Sequence, residues 1–317
     1  MARPLVSVII PCYNSASFLS ETLESVLVQD CPHIEIIVVD DGSTDNTADI
    51  VAHYPGIRYI RQRHAGLAFT RSNGLRHSAG EYIVCLDSDD RLIRGALALH
   101  LNSLMEQPDC AFSFGDVVFI NAHGAALSDA ECATLGLPKR LSPPYTGNDH
   151  YLPLLRSYYI PTPGMVMFRR TVLDAMSGFD TSMDPADDVD LIYRITRNHQ
   201  ACYVGAAVLE KRVHERSLMY HDLAKCIRAM MKLFRRQQRL VQYEPAHRAA
   251  LQHNMRYFED FWARSLIQQI MGNVRHGRNW QQTGDDLVTF LRYTPVWPAR
   301  YIYRRCRRLL VERLSST

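Results

Sequence analysis

An α/β fold is predicted: a mostly parallel, Rossmann-like sheet flanked by helices, then an α-helical C-terminal extension. Three observations predict it. Apolar runs of strand length alternate with segments of helical spacing as far as residue 120. The runs are near-continuously apolar, as strands buried on both faces are. Beyond His214 only helical spacing remains.

Leu5 to Ile10 is an apolar, β-branched run ended by Pro11. Ser17 to Val28 has helical spacing through Phe18, Leu19, Leu23, Val26 and Leu27. Ile34 to Val39 is a second strand, and Thr44 to Tyr54 a helix with Asp45 or Ser43 as N-cap. Ile57 to Ile60 is a short strand, Leu67 to His77 a helix, Glu81 to Leu86 a strand and Leu92 to Met105 a helix. Phe112 to Ile120 and Met165 to Phe168 read as strands, and Val189 to Thr196 as a helix. Residues 121–150, rich in Ala, Gly, Pro and Ser, read as a long loop or flap. Leu223 to Val241, Ala246 to Met271 and Tyr301 to Leu314 are predicted helices of the extension.

The 47% hydrophobic and 22% charged composition is that of a globular protein. No apolar stretch reaches the ~20 residues of a membrane-spanning helix. Met1-Ala2-Arg3-Pro4 runs straight into a strand, so no signal peptide is read. The eight cysteines form no C-x-x-C pair, which argues against a disulfide framework and suits a reducing cytoplasm. Residues 1–214 carry 17 Lys or Arg and 25 Asp or Glu, whereas residues 215–317 carry 19 and 8. The basic part suits an anionic surface or substrate.

Acidic clusters close the predicted strands. Asp87-Ser88-Asp89-Asp90 follows an apolar run, and three carboxylates so close together call for a cation. A hard divalent metal with a phosphate on its other side meets that need. Helix capping ahead of Leu92 accounts for one acid, not three, and the spacing is not that of an EF-hand. Asp40-Asp41-Gly42-Ser43 reads either as a plain turn or as a carboxylate facing a base or ribose. Tyr13, in Pro11-Cys12-Tyr13-Asn14, is either a packed aromatic or a stacking platform for a base. Asp187-Asp188-Val189-Asp190 supplies helix caps or a general base, Asp188, positioned by its neighbours. His214 is a candidate metal ligand or phosphate contact. The dinucleotide glycine fingerprint and the Walker A loop are absent.

In order and placement these motifs resemble family 2 glycosyltransferases of the GT-A fold. The likeness runs through Val6 to Asn14, Val38 to Asp45, Gly66 to Leu75, Gly80 to Asp90, and Gly178-Phe179-Asp180 with Asp187-Asp188, covering about residues 4–215. It implies a catalytic domain over 1–215, with a nucleotide-sugar-binding half (1–110) and an acceptor-binding half (111–215), and a helical region over 216–317. Asp40 and the Pro11–Asn14 loop are then the nucleotide pocket, with Arg71 a further nucleotide contact. Ser72 stands where the family has asparagine. Asp87 and Ser88 meet the ribose or donor sugar, Asp89 and His214 bind Mn²⁺ or Mg²⁺, and Asp188 is the base. Asp41, Asp90 and Asp187 support them, Asp187 standing where the family has glutamate.

The activity implied is an inverting, metal-dependent hexosyl transfer from a nucleotide-diphosphate sugar, a UDP-sugar first among them, to a saccharide or lipid-linked glycan acceptor, in cell-surface polysaccharide synthesis. The alternatives are a non-catalytic sugar-nucleotide-binding or scaffold protein, and a sugar nucleotidylyltransferase. The latter needs a Gly-rich basic loop after the first strand, which Pro11-Cys12-Tyr13-Asn14 is not. Tyr301 to Leu310 pairs apolar residues with arginines, which suits peripheral contact with an anionic inner membrane face or a helix packed on the body. No nucleic-acid module accompanies the charge.

Overall fold

The computed structural model describes residues 5–293 apart from 32, 136, 138–146, 216, 218–221 and 277–279. The chain forms two compact units, Met1–Ser217 and Leu218–Thr317.

The first unit runs β1 (Val6–Cys12), α1 (Leu19–Leu27), β2 (Ile34–Asp40), α2 (Thr47–Ala52), β3 (Arg58–Arg61), α3 (Leu67–His77), β4 (Tyr82–Cys85), β5 (Arg91–Leu92) and α4 (Ala96–Glu106). It continues through β6 (Cys110–Ile120), α5 (Asp129–Thr134), α6 (Tyr151–Arg156), β7 (Val166–Arg169), α7 (Arg170–Ala175), α8 (Asp187–Thr196) and β8 (Gln200–Arg212). The strands form one sheet in the order β3-β2-β1-β4-β7-β6-β8-β5.

All seven residues of β1 are buried, since it lies mid-sheet. Removing side chains such as Val8, Ile9 and Ile10 from water contributes about 1.5–3 kcal/mol each. β1 pairs in parallel with β2, Cys12 opposite Asp40, and with β4, Ile9 opposite Cys85. The chain therefore leaves β1, β2 and β4 along one edge, and there the acidic motifs gather. Helix α3 packs beneath that edge because residue 74 is glycine: a Cβ there would collide with the Ile9 side chain and lie 3.3 Å from Val39. The close packing carries Arg71 under the strand ends.

Several sequence expectations are corrected. β1 continues through Pro11, which is buried in the strand opposite Val39. A proline fits because β1–β4 pairing stops at Ile9, so its missing N–H costs no ladder bond on that side. Helix α2 begins at Thr47 after Asn46, with no side-chain cap; Asp45 instead bonds the Thr47 amide and hydroxyl. β5 intervenes between the acidic cluster and α4, which starts at Ala96 after Gly95, so Asp90 caps no helix. The 121–150 stretch contains α5, closed by a capping box between Ser128 and Glu131. β7 runs antiparallel to both β4 and β6. β8, which the sequence reading passes over, pairs in parallel with β6 along most of its length.

The second unit contains α9 (Leu223–Leu240), α10 (Pro245–His276) and α11 (Trp280–Tyr293). Phe234, Phe258 and Trp262 form its aromatic core, with the rings of Phe258 and Trp262 4.8 Å apart. The first two predicted helices correspond to α9 and α10, whereas α11 was not anticipated. Tyr301 to Leu314 lies outside the described residues. Among those described, no helix is long and apolar enough to cross a membrane.

Candidate active site

At the end of β2, Asp40 is 1% exposed. Its Oδ1 accepts from the Ser43 amide at 2.7 Å and its Oδ2 from the Tyr59 hydroxyl. Asp41 is committed to the backbone: it accepts from the Ala65 and Gly66 amides at 2.8 and 2.9 Å and from Gln62 Nε2 at 2.8 Å. It thereby shapes the loop that presents His64. The Tyr13 ring lies 4.4 Å from that of His64, and Tyr13 is half exposed, leaving an open aromatic platform. Asn14 takes a left-handed φ of 51° and ties this loop to the β2 loop through Ser43 and Thr44.

Arg71 is the hinge of the site and is 2% exposed. One terminal nitrogen donates to both oxygens of Asp187 at 3.1 Å, and the other donates to Asp87 Oδ1 at 2.8 Å. The start of α8 and the end of β4, 100 residues apart in sequence, thus share one guanidinium. The neighbouring carboxylates outweigh burial and keep Arg71 charged. Burial opposes the charge of Asp87 too, but Arg71 and Lys211 hold it below the ordinary carboxylate range. Thr162 donates to its other oxygen at 3.2 Å.

Asp188 is 7% exposed and accepts from the Val189 amide at 2.8 Å. Burial, with Asp187 and Asp87 adding to it and Arg71 opposing, pushes its carboxyl up to about 7. That is the range in which a carboxylate accepts a proton effectively at neutral pH. Asp190 is turned away, paired with Arg194, which in turn holds the Met176 and Gly178 carbonyls.

The end of β8 grips the acidic loop. Arg212 donates its amide to Asp90 Oδ1 at 2.8 Å and its Nε to the Asp89 carbonyl at 2.9 Å. Lys211 Nζ lies 3.4 Å from Asp90 and 3.9 Å from Asp87. Burial above all, with Asp89 and Asp87 adding and Lys211 opposing, pushes Asp90 up to about 8. His214 Nε2 lies 2.9 Å from Asp89 Oδ2. Ser88 is 9% exposed and bonds Ser15 at 2.7 Å, joining the cluster to the loop after β1.

Among the described residues no group of three or more His, Cys, Asp or Glu is arranged to hold a metal alone. Asp89 and His214 form a two-donor pair instead. One carboxylate and one imidazole would hold Mn²⁺ or Mg²⁺ as a partial ligand set that leaves positions open for other oxygen ligands.

All the sequence-predicted residues therefore meet at one sheet edge, except that Pro11 is buried in its strand. Lys211, Thr162, Tyr59 and His64 were not anticipated. Nor was Asp184, which accepts from the Ala68 amide at 3.2 Å at the start of α3. Lys211 and Arg212 precede His214 in the sequence, the one local signal that pointed to them.

A family model described as glycosyl transferase family 2 matches residues 7–176. The putative teichuronic acid biosynthesis glycosyltransferase TuaG of Bacillus subtilis is 42% identical over 118 residues, 35% of this chain and 46% of that protein. Staphylococcus aureus TarS 1–349 in complex with UDP superposes with a TM-score of 0.59 at 18% identity, covering 93% of this chain and 91% of that one. The mannosyltransferase PcManGT of Pyrobaculum calidifontis, in complex with GDP-Man and Mn²⁺, gives 0.56 at 20% identity, covering 98% and 81%. These likenesses show a GT-A type fold. The chain spans less than half the length of the curated relatives it first matches.

Proposed function

The chain belongs to glycosyl transferase family 2, and on that premise we propose an inverting, metal-dependent transfer of a hexose from a nucleotide-diphosphate sugar to a saccharide or lipid-linked glycan. A role in cell-surface polysaccharide synthesis is supported by the likeness to TuaG, a putative teichuronic acid biosynthesis glycosyltransferase, and the donor class by the UDP and GDP-Man complexes of TarS and PcManGT. A UDP-sugar is the donor of choice. Residues 1–110 bind it, and 111–215 bind the acceptor.

Tyr13 stacks on the base, while Asn14 and Ser88 shape its pocket and Asp40 accepts from base or ribose. Asp87, fixed by Arg71 and Thr162, orients the donor sugar through its remaining lone pairs. Asp89 and His214 hold the Mn²⁺ or Mg²⁺, which when bound offsets charge on the diphosphate. Asp188 takes the proton from the acceptor hydroxyl as that oxygen bonds to the anomeric carbon. The bond from that carbon to the diphosphate oxygen breaks with its electron pair leaving on the diphosphate. A single displacement of this kind inverts the anomeric centre and needs no enzyme nucleophile.

The observation that carries the reading is the Arg71 bridge between Asp87 and Asp187. It sets the donor-facing acid and the base-bearing helix in one frame. The reading places the protein in the cytoplasm, with the 301–310 segment on the anionic inner membrane face. Thermal-shift screening of nucleotide sugars with Mn²⁺, followed by product assay with the labelled donor that binds, tests the activity. Asp89→Asn and Asp188→Asn are each expected to abolish transfer. Full transfer by both variants refutes the assignment, and donor binding without any turnover in the wild type reduces it to a binding protein.

A further inference from the structure

We infer that Lys211 is a resident counter-ion that assembles the acidic loop ahead of any divalent cation and shares with that cation the task of offsetting the nucleotide's charge. The inference rests on the nucleotide-site reading above. Three carboxylates, Asp87, Asp89 and Asp90, crowd one turn at the end of β4. Their partners divide them. Asp90 is wholly buried and takes the Arg212 amide on one oxygen, with Lys211 Nζ at 3.4 Å from the other. Asp87 has Arg71 on one oxygen and Lys211 at 3.9 Å from the second. Asp89 alone of the three is matched with a metal-ligating side chain, His214.

Lys211 thus offsets the two acids that are not proposed ligands. Its compact ammonium suits a position between two carboxylates, where a planar guanidinium would need a bidentate geometry. The side chain is 25% exposed. One of its three N–H donors goes to Asp90, and Asp87 at 3.9 Å is held by charge alone, which leaves the ammonium with further donor capacity. A fixed positive charge there attracts a bound diphosphate and repels a bound divalent cation. Lys211 is therefore a positioning residue whose loss moves the two affinities in opposite directions, whereas a purely structural role weakens both.

The test uses the full chain and measures two affinities by titration calorimetry: Mn²⁺ alone, and UDP in the presence of EDTA. Lys211→Met is expected to tighten Mn²⁺ about threefold or more and to weaken metal-free UDP by a similar factor. Parallel weakening of both ligands, or no change in either, overturns the inference. Should Lys211→Met not fold, Lys211→Met/Asp90→Asn removes the buried charge with its partner. It is expected to shift the two affinities in the same opposite directions as Lys211→Met, and joint weakening again overturns the inference. A wild-type protein that binds neither Mn²⁺ nor UDP instead sinks the nucleotide-site reading itself.

Discussion

Replacing Arg71 by methionine is the most informative perturbation of the site's framework. The side chain keeps its length and loses its charge, in a position only 2% exposed. Asp187, fully buried, loses the one cation within bonding distance among the described residues. Asp87 keeps Thr162 and Lys211 but loses its shortest bond. Breaking a buried pair from one side costs about 3–5 kcal/mol, because the remaining charge is left uncompensated. The cost depends on pH with a definite sign. Asp187 is already raised, burial outweighing Arg71, and the variant raises it further. A raised carboxyl destabilises the fold increasingly as pH climbs above about 3.9, its unfolded value. Asp87 is depressed in the native protein, so the stability it contributes is present at neutral pH and lost in acid. The Asp187 effect makes the penalty larger at pH 8 than at pH 5, whereas the Asp87 contribution is already complete at pH 5 and changes only below about 3.9. All three tryptophans lie beyond residue 217, so tryptophan fluorescence does not report on this unit; native-state hydrogen exchange of β1 and β2 amides does. Adding Asp187→Asn is expected to recover more than half of the loss. A penalty under about 1 kcal/mol, or one equal at the two pH values, refutes the reasoning.

Two further outcomes follow from the geometry. With Asp188 pushed up to about 7, kcat/KM is expected to rise with pH through that value as the base ionises, and Asp187→Asn is expected to move the limb to lower pH; a pH–rate profile checks both. Gly80→Ala places a Cβ 2.6 Å from the Ser7 amide nitrogen and 3.0 Å from the Leu5 carbonyl, so urea unfolding followed by far-UV circular dichroism is expected to show a loss of about 1–3 kcal/mol.

The strand–helix alternation through β4 is legible in sequence because Val6–Cys12, Ile34–Asp40 and Tyr82–Cys85 are near-continuous apolar runs, broken only at Ser7, Glu35 and the terminal Asp40, as a doubly covered sheet requires. Strand direction is not written in such runs, so the antiparallel placement of β7 had to come from the fold. β8 escaped notice because Gly205-Ala206-Ala207 interrupts it with small residues of low strand propensity. With β8 went Lys211, whose purpose is visible only once Asp87 and Asp90 are seen beside it. Asp40, Asp87, Asp89 and Asp188 stood out because acids at strand and helix ends are costly without a purpose. Their division of labour was not legible: Asp41 turns to the amides of Ala65 and Gly66, whereas Asp40 takes the Ser43 amide and the Tyr59 hydroxyl. The Arg71–Asp187 contact spans 116 residues, a pairing no local pattern encodes.

Proton NMR of the transfer product, made with whichever nucleotide sugar the binding screen identifies, tests the central claim most directly. The anomeric coupling constant reports whether the new glycosidic bond has the configuration opposite to that of the donor. A single displacement assisted by Asp188 predicts inversion in every product molecule and no product from Asp188→Asn. A product that retains the donor's configuration contradicts the account.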